Sequence, residues 1–167
     1  PAVHGLSRRS RWAIIAVLQF AATAITPMAG LAPDTPTPTE ILLHAKSRVL
    51  ELHFSDGARF NLPCELLRVY SPSAEVRGHG PGQEVLQTGK RNVGITAIEP
   101  VGNYALKLVF TDGHDTGLYS WDLLHDLGKH ADQLMANYLE RLALEGASRD
   151  VDSSVAPPKH GGGCGHH

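Results

Sequence analysis

Apolar and polar residues alternate from Leu50 to Phe54, where Leu50, Leu52 and Phe54 are separated by Glu51 and His53. Successive side chains of a strand point to opposite faces, so this period of two predicts a half-buried β-strand. Asp56-Gly57 follows and supplies the residue of positive φ that a tight hairpin requires. Phe60 and Leu62 resume the strand, and the fixed φ of Pro63 suits entry to a helix running to about Tyr70. The same phrase then returns: Leu106 to Gly113 repeats the order of Leu50 to Gly57. Each copy leads into a helix-forming stretch, Cys64-Glu65-Leu66-Leu67 or Trp121-Asp122-Leu123-Leu124. Two related units of strand, Asp-Gly turn, short strand and helix start are therefore expected. Their tips differ, since Ala58 follows the first Asp-Gly and His114-Asp115 the second.

Between the units, Ser71 to Asn92 loses all periodicity, with Gly78, Gly80, Pro81, Gly82 and Gly89 set among polar residues. A loop of this length inside a small domain tends to be functional or mobile. Its stretch from Arg77 to Gln83, with Lys90-Arg91-Asn92 beyond, reads either as a recognition surface for a partner's acidic edge or as a solvated loop. Val93 to Glu99 and Tyr104 to Phe110 are the next strands, an antiparallel hairpin joined by Pro100-Val101-Gly102-Asn103. Thr116 to Tyr119 forms a short strand and Ser120 caps the last helix. There Leu127, Ala131, Leu134, Tyr138 and Leu142 draw one apolar stripe at steps of three and four, with Lys129, Asp132, Glu140 and Arg141 facing away and Gly128 breaking or kinking the helix early. The predicted fold is α+β: a small, mainly antiparallel sheet from two related β-hairpin–helix units, with a C-terminal amphipathic helix packed on it. Its aromatic anchors are Phe54, Phe60, Phe110, Tyr119 and Trp121.

The 167 residues give one ordinary domain plus tails, and the formal net charge of −2 lacks the basic excess of a nucleic-acid binder. Arg8, Arg9 and Arg11 precede an apolar run from Trp12 to Ile25 and then Met28-Ala29-Gly30-Leu31-Ala32, the order of a secretory signal. The preferred reading takes these residues as sequence upstream of a start at Met28. The run is too short, and too interrupted by Gln19, for a stable membrane span. Either way residues 1 to 27 are left out of the fold, and Pro33, Pro36 and Pro38 make an extended linker up to residue 39. The domain occupies residues 40–146, followed by a disordered Gly/Cys/His tail over 147–167. Cys64 and Cys164 lie far apart, which argues against a disulfide framework and for a reducing, cytoplasmic location; export is the alternative if residues 1–27 are a signal peptide.

Three stretches carry a resemblance: Leu67-Arg68-Val69-Tyr70-Ser71-Pro72-Ser73-Ala74-Glu75-Val76, then Pro100-Val101-Gly102-Asn103-Tyr104-Ala105, then Asp112-Gly113-His114-Asp115-Thr116-Gly117-Leu118-Tyr119-Ser120-Trp121. In this order they resemble the gamma-butyrobetaine hydroxylase-like N-terminal domain family, over about Thr39 to Gly128. These are small domains of unknown or loosely defined role. In metal-binding members, Cys-x-Cys-x-x-Cys after the Leu-Arg pair and a histidine after the later Asp-Gly complete a zinc site, three thiolates and an imidazole making a closed tetrahedron. Here the cysteine positions read Ser71, Ser73 and Val76, and His114 alone remains. Serine hydroxyls are poor zinc ligands and valine is none. The resemblance thus implies a metal-free version in which Ser71 and Ser73 hydrogen-bond locally or cap a turn.

His114 has two readings, a ligand or recognition residue paired with Asp115, His79 or His53, and a solvated or hydrogen-bonded residue of a hairpin tip. The terminal His160-Gly161-Gly162-Gly163-Cys164-Gly165-His166-His167 is the most metal-affine composition in the chain, since one thiol and up to three imidazoles can wrap a borderline ion. His130-Ala131-Asp132 has the spacing of a non-haem iron motif, but in a helix residues two apart diverge. Cys64, near a helix start, reads as a small packed residue before it reads as a reactive thiol. No nucleophile elbow, phosphate-binding glycine loop or Cys-x-x-Cys pair is present. The expectation is a non-enzymatic binding or adaptor module linked to metal handling, with a divalent ion, iron or zinc, on His114, His160, Cys164, His166 and His167. The resemblance implies a protein partner, an iron-sulphur scaffold ATPase or an oxygenase. The alternative is a regulatory or dimerisation domain acting on a separate iron-dependent hydroxylase, without bound metal.

Overall fold

The computed structural model describes residues 14–19 and 34–152. In chain order the elements are β1 (Ile14–Gln19), β2 (Pro38–His44), β3 (Val49–Phe54), β4 (Arg59–Pro63), α1 (Cys64–Val69), α2 (Ala74–Arg77), β5 (Ile95–Val101), β6 (Ala105–Phe110), β7 (Leu118–Ser120), α3 (Trp121–Lys129) and α4 (Ala131–Leu144). The fold is α+β, and its strands divide into two antiparallel sheets, β1-β2-β3-β4 and β5-β6-β7. A segment that the sequence had set outside the fold joins the first sheet, with Gln19 opposite Glu40 along β2. The proline-rich linker is likewise recruited: Pro38 pairs with Phe54, and Thr37 and Ser55 exchange backbone and hydroxyl bonds.

The two halves are built alike down to their hydrogen bonds. At the first tip Asp56 Oδ1 accepts from the Ala58 N–H at 3.0 Å, and Phe54 N–H donates to the Ala58 carbonyl at 2.8 Å. At the second, Asp112 Oδ1 accepts from the His114 N–H at 3.2 Å, and Phe110 N–H donates to the His114 carbonyl at 2.9 Å. Gly57 and Gly113 sit at φ of 85° and 88°, a region L residues other than Asn and Asp rarely enter. Leu50 faces Leu62 just as Leu106 faces Tyr119. The second copy has one residue more between turn and helix, and the register shows where it goes: into the loop 114–117, so that β7 starts only at Leu118.

Each tip aspartate then turns to the helix of the other unit. Asp56 Oδ2 lies 2.8 Å from Nε2 of His125 in α3, and Asp112 Oδ2 accepts from Nε of Arg68 in α1 at 2.9 Å. Arg68 and His125 occupy equivalent positions, four residues after Cys64 and Trp121. The halves therefore hold each other by a crossed pair of clasps.

The core fills the space between sheets and helices. Leu50, Leu52, Leu62, Leu106 and Leu108 have no solvent exposure, and Phe54, Phe110, Tyr119 and Trp121 join them. Phe60 is only half-buried, its ring against Phe54 and His125. Each such leucine contributes about 1.5–3 kcal/mol by burial, comparable to a large fraction of a domain's net stability. The helix predicted after Ser120 is two helices. The break falls at His130, two residues past Gly128, whose missing Cβ leaves room for the Phe60 ring. Ser120 sits at the helix start but its hydroxyl makes no cap. On α4 the predicted stripe holds, with Tyr138 and Leu142 buried, and the helix meets α1 and α3. Residues 147–152, expected to be disordered, return as a strap: Gly89 and Arg91 donate to the carbonyls of Ser148 and Arg149, whose guanidinium grips Glu65 of α1.

Candidate functional site

The site grows from the end of α1 and the second tip. Tyr70 closes α1, Pro72 cannot continue it, and Ser73 opens α2 with its hydroxyl accepting from the Glu75 N–H at 3.3 Å. The serines therefore both bond locally and cap a turn, as anticipated. The extra residue of the second tip folds its loop back over them. Ser71 Oγ lies 2.8 Å from His114 Nε2, and Ser73 Oγ lies 2.7 Å from Thr116 Oγ1. Glu75 Oε2 approaches the other ring nitrogen of His114, Nδ1, at 3.1 Å. Ser71, Ser73 and His114 are 1%, 5% and 6% exposed, and Val76 is buried on α2. The four positions named by the family's metal pattern are thus two hydroxyls, one imidazole and one apolar chain, closed as a polar knot.

Charge around the knot is arranged to keep His114 neutral. Burial pushes its imidazole below its ordinary value, the nearby Arg68 charge adds to this, and Glu75 opposes it. Behind it, burial raises the Asp112 carboxyl, but bonds from Lys90 at 3.0 Å and Arg68 outweigh burial and hold it low. With Glu75 accepting from Nδ1–H, Nε2 of His114 accepts from the Ser71 hydroxyl. That connectivity, serine to imidazole to carboxylate, is the relay of an acyl-transfer enzyme. Two features deny it that chemistry. Pro72 removes the N–H that would follow the nucleophile in an oxyanion hole, and the nearest N–H, of Ser73, donates to Ser71 Oγ itself at 3.3 Å. The carboxylate, Glu75, is the exposed member, whereas a relay needs it fixed. Nor does the donor set fit zinc, for the reasons of ligand chemistry given above. Among the described residues no group of three His, Cys, Asp or Glu is arranged to hold an ion.

Gly117 makes the closure possible, because a Cβ there would collide with Ser71 Oγ and press on Pro72. Gly117→Ala is expected to open the knot at a cost of about 1–3 kcal/mol, the range for overpacking. Thermal unfolding of the variant measures it, and an unchanged Tm would mean the loop does not close on Ser71.

Beside the knot lies a groove of about 760 Å³ between the end of α1, the loop after α2, and α3. Tyr70, Val76, Val85, Leu123 and Leu127 form its apolar wall, with Arg77, His79 and Glu84 also lining it. Val85 is about half exposed. The composition of residues 71–92 marked a long loop, functional or mobile; the groove itself was missed, because it needs leucines of α3 to meet the loop across the fold.

The remaining candidates fall elsewhere. Asp115 pairs with Lys107 at 3.4 Å, His79 lines the groove, and His53 lies between Glu40 and Glu51 on the first sheet, so none of them meets His114. His44 and His53 each place Nε2 on one oxygen of the Glu51 carboxylate, at 2.7 and 2.6 Å. His130 and Asp132 are exposed at the α3–α4 junction. Cys64 is fully buried in the core and its thiol is pushed up to about 11 by burial, which makes it inert. His160, Cys164, His166 and His167 lie outside the described residues. No helix of the described residues is long and apolar enough to cross a membrane.

Comparison with known proteins follows the same three stretches. The family model for gamma-butyrobetaine hydroxylase-like, N-terminal matches residues 41–125, half of the chain. Two proteins with NMR solution structures are 52% and 56% identical, each with TM-score 0.62; they cover 74% and 80% of this chain, which covers 97% and 98% of theirs. A protein of unknown function of the DUF971 family, from Acidithiobacillus ferrooxidans, is 38% identical over 55% of this chain and 92% of its own, with TM-score 0.47. No curated protein matches. On these grounds the chain belongs to the gamma-butyrobetaine hydroxylase-like, N-terminal family.

Proposed function

We propose that the protein is a non-enzymatic binding or adaptor module linked to metal handling, and that it takes a segment of a protein partner in the groove beside the Ser71–His114 knot. The observation that carries this reading is the groove: an apolar wall that includes Tyr70, Val76, Val85, Leu123 and Leu127, beside polar groups already bonded to one another. Such a surface offers area and shape to a peptide segment. The partner proposed is an iron-sulphur scaffold ATPase or an oxygenase. The metal link is assigned to His160, Cys164, His166 and His167 binding a divalent ion, iron or zinc, because His114 is engaged by Ser71 and Glu75. A second reading, favoured by the hydrogen bonds that already engage Ser71, Ser73 and His114, is a regulatory or dimerisation domain acting on a separate iron-dependent hydroxylase, without bound metal. Cytoplasmic residence belongs to both.

The test compares partner retention by the unmodified chain, by Val85→Asp in the groove and by Leu144→Asp, an exposed apolar residue of α4 that does not line it. Burying a carboxylate against apolar walls costs several kcal/mol, so Val85→Asp is expected to weaken retention at least tenfold. Leu144→Asp should leave it intact. Equal retention by both variants would remove the groove from the function. Metal analysis of protein purified without metal resin separates the two readings.

A further inference from the structure

We propose that the groove takes an amphipathic helix of a partner protein, with acidic side chains on the flank facing Arg77 and basic ones on the flank facing Asp126; this rests on the groove being a docking site. The walls select the shape of the occupant. None of the described residues that line the groove lies in a strand, so an extended peptide finds no sheet edge to pair with. A polyproline segment docks between aromatic rings, but the lining has one tyrosine and no tryptophan or phenylalanine among the described residues. That tyrosine, Tyr70, has its hydroxyl tied to the Leu134 carbonyl at 2.8 Å. An apolar helical stripe fits what is left, since Val85 faces a wall on which Leu123 and Leu127 stand one helical turn apart.

Charge sets the orientation. The loop from Arg77 to Glu84 forms one lip, closed at its neck by the Val85 N–H, which donates to the Val76 carbonyl at 2.8 Å, and inside by the Gln83 N–H on the Gly80 carbonyl at 3.1 Å. Gly78, at φ of 70°, lies so close to the Gln83 backbone that a Cβ would collide with its carbonyl. The lip is therefore preformed. Arg77 stands exposed on it, and its guanidinium has no partner among the described residues, whereas Arg68, Lys90, Arg91 and Arg149 all pair with carboxylates. Glu84 is the acid of this lip, but Arg141 reaches the carbonyl of that residue at 3.5 Å and brings a second cation beside it. Glu75 is turned away to Nδ1 of His114. The other lip has the opposite sign: Asp122 and Asp126 each precede a groove leucine on α3, are exposed, and have carboxylates without a partner among the described residues. A helix charged oppositely along its two flanks meets both lips in one direction only, since reversal sets like charges together.

The probes are two synthetic helical peptides with the same leucine stripe, one carrying glutamate on one flank and lysine on the other, its twin carrying glutamine on both. Amide shifts of Gly78, Val85 and Leu127 in the isotope-labelled full chain report occupancy. The charged peptide is expected to bind about tenfold more tightly than its twin, with the gap narrowing as salt is added. Arg77→Glu alone, or Asp126→Lys alone, should remove that advantage; the two together should restore it, with the helix reversed in the groove. Both side chains are exposed, so neither change disturbs the core. Equal affinity of the two peptides, an advantage unmoved by the single variants, or a double variant that fails to recover it would overturn the proposal. So would groove shifts from an extended proline-rich peptide with none from either helix. Partner retention by Val85→Asp is a separate measurement, so retention lost there together with any of these results refutes the charged helix and leaves the groove as a docking site.

Discussion

Arg149→Ala is expected to lower stability by about 3–5 kcal/mol, the cost of leaving a buried charge without its partner. Glu65 is 5% exposed, on a helix whose every residue is buried, and both its oxygens accept from Arg149, one at 2.8 Å. Removing the guanidinium orphans the carboxylate and releases the strap from Gly89 and Arg91. Urea unfolding gives the loss as a lower midpoint at constant slope. The double variant Glu65→Leu with Arg149→Ala should recover most of it, since no charge is then left unpaired. A single-variant loss below about 1 kcal/mol would mean that this pair behaves as a surface ion pair.

His114→Ala is the second large effect, about 2–4 kcal/mol from a cavity beside Phe110 and from a buried Ser71 hydroxyl left without its acceptor. Its pH dependence has a definite sign. Burial, aided by Arg68, depresses the folded value of the imidazole. The stability it contributes is therefore full above the ordinary histidine value of about 6.5 and is lost as pH falls through the lower folded value. Tm should drop between pH 7 and pH 5 in the unmodified protein, and drop less over that interval in His114→Asn. The depressed Asp112 acts the same way further down, with its contribution lost below the ordinary carboxylate range, about pH 4. A steeper fall in His114→Asn would contradict the neutral, hydrogen-bonded imidazole.

Local chemistry was the most legible part of this chain. Alternation at Leu50, Leu52 and Phe54, the Asp-Gly turns and the stripe through Tyr138 and Leu142 each depend on neighbours a few residues apart, and each took its expected form. What escaped depends on pairs far apart in sequence. Arg68 with Asp112, Asp56 with His125 and Glu65 with Arg149 are ordinary charged residues until the fold brings them together. Position in the repeat was the one available signal, since Arg68 and His125 are equivalent residues placed opposite equivalent aspartates. The strap was missed because Ser148, Asp150 and Asp152 look solvated, and their backbone and carboxylate bonds leave no apolar pattern. The single sheet expected from the repeat became two because each unit pairs its own hairpin, β3-β4 or β6-β7, and is extended past the hairpin's first strand, by β2 and β1 in one sheet and by β5 in the other. At the site, the two serines and His114 were legible as a set; Glu75 and Thr116, which complete the knot, were not, since exposed polar residues carry no mark of a partner.

On the proposed reading, Ser71, Ser73 and His114 stay bonded to their neighbours and take no metal, leaving recognition to the groove and ion binding to the carboxyl end. Imidazole nitrogen NMR during a zinc titration of the full chain tests it most directly. His114 should show a neutral ring with its proton on Nδ1, unchanged by one equivalent of zinc, while the signals of His160, His166 and His167 move. A zinc-induced shift of the His114 ring nitrogens, with the tail histidines unmoved, would contradict it.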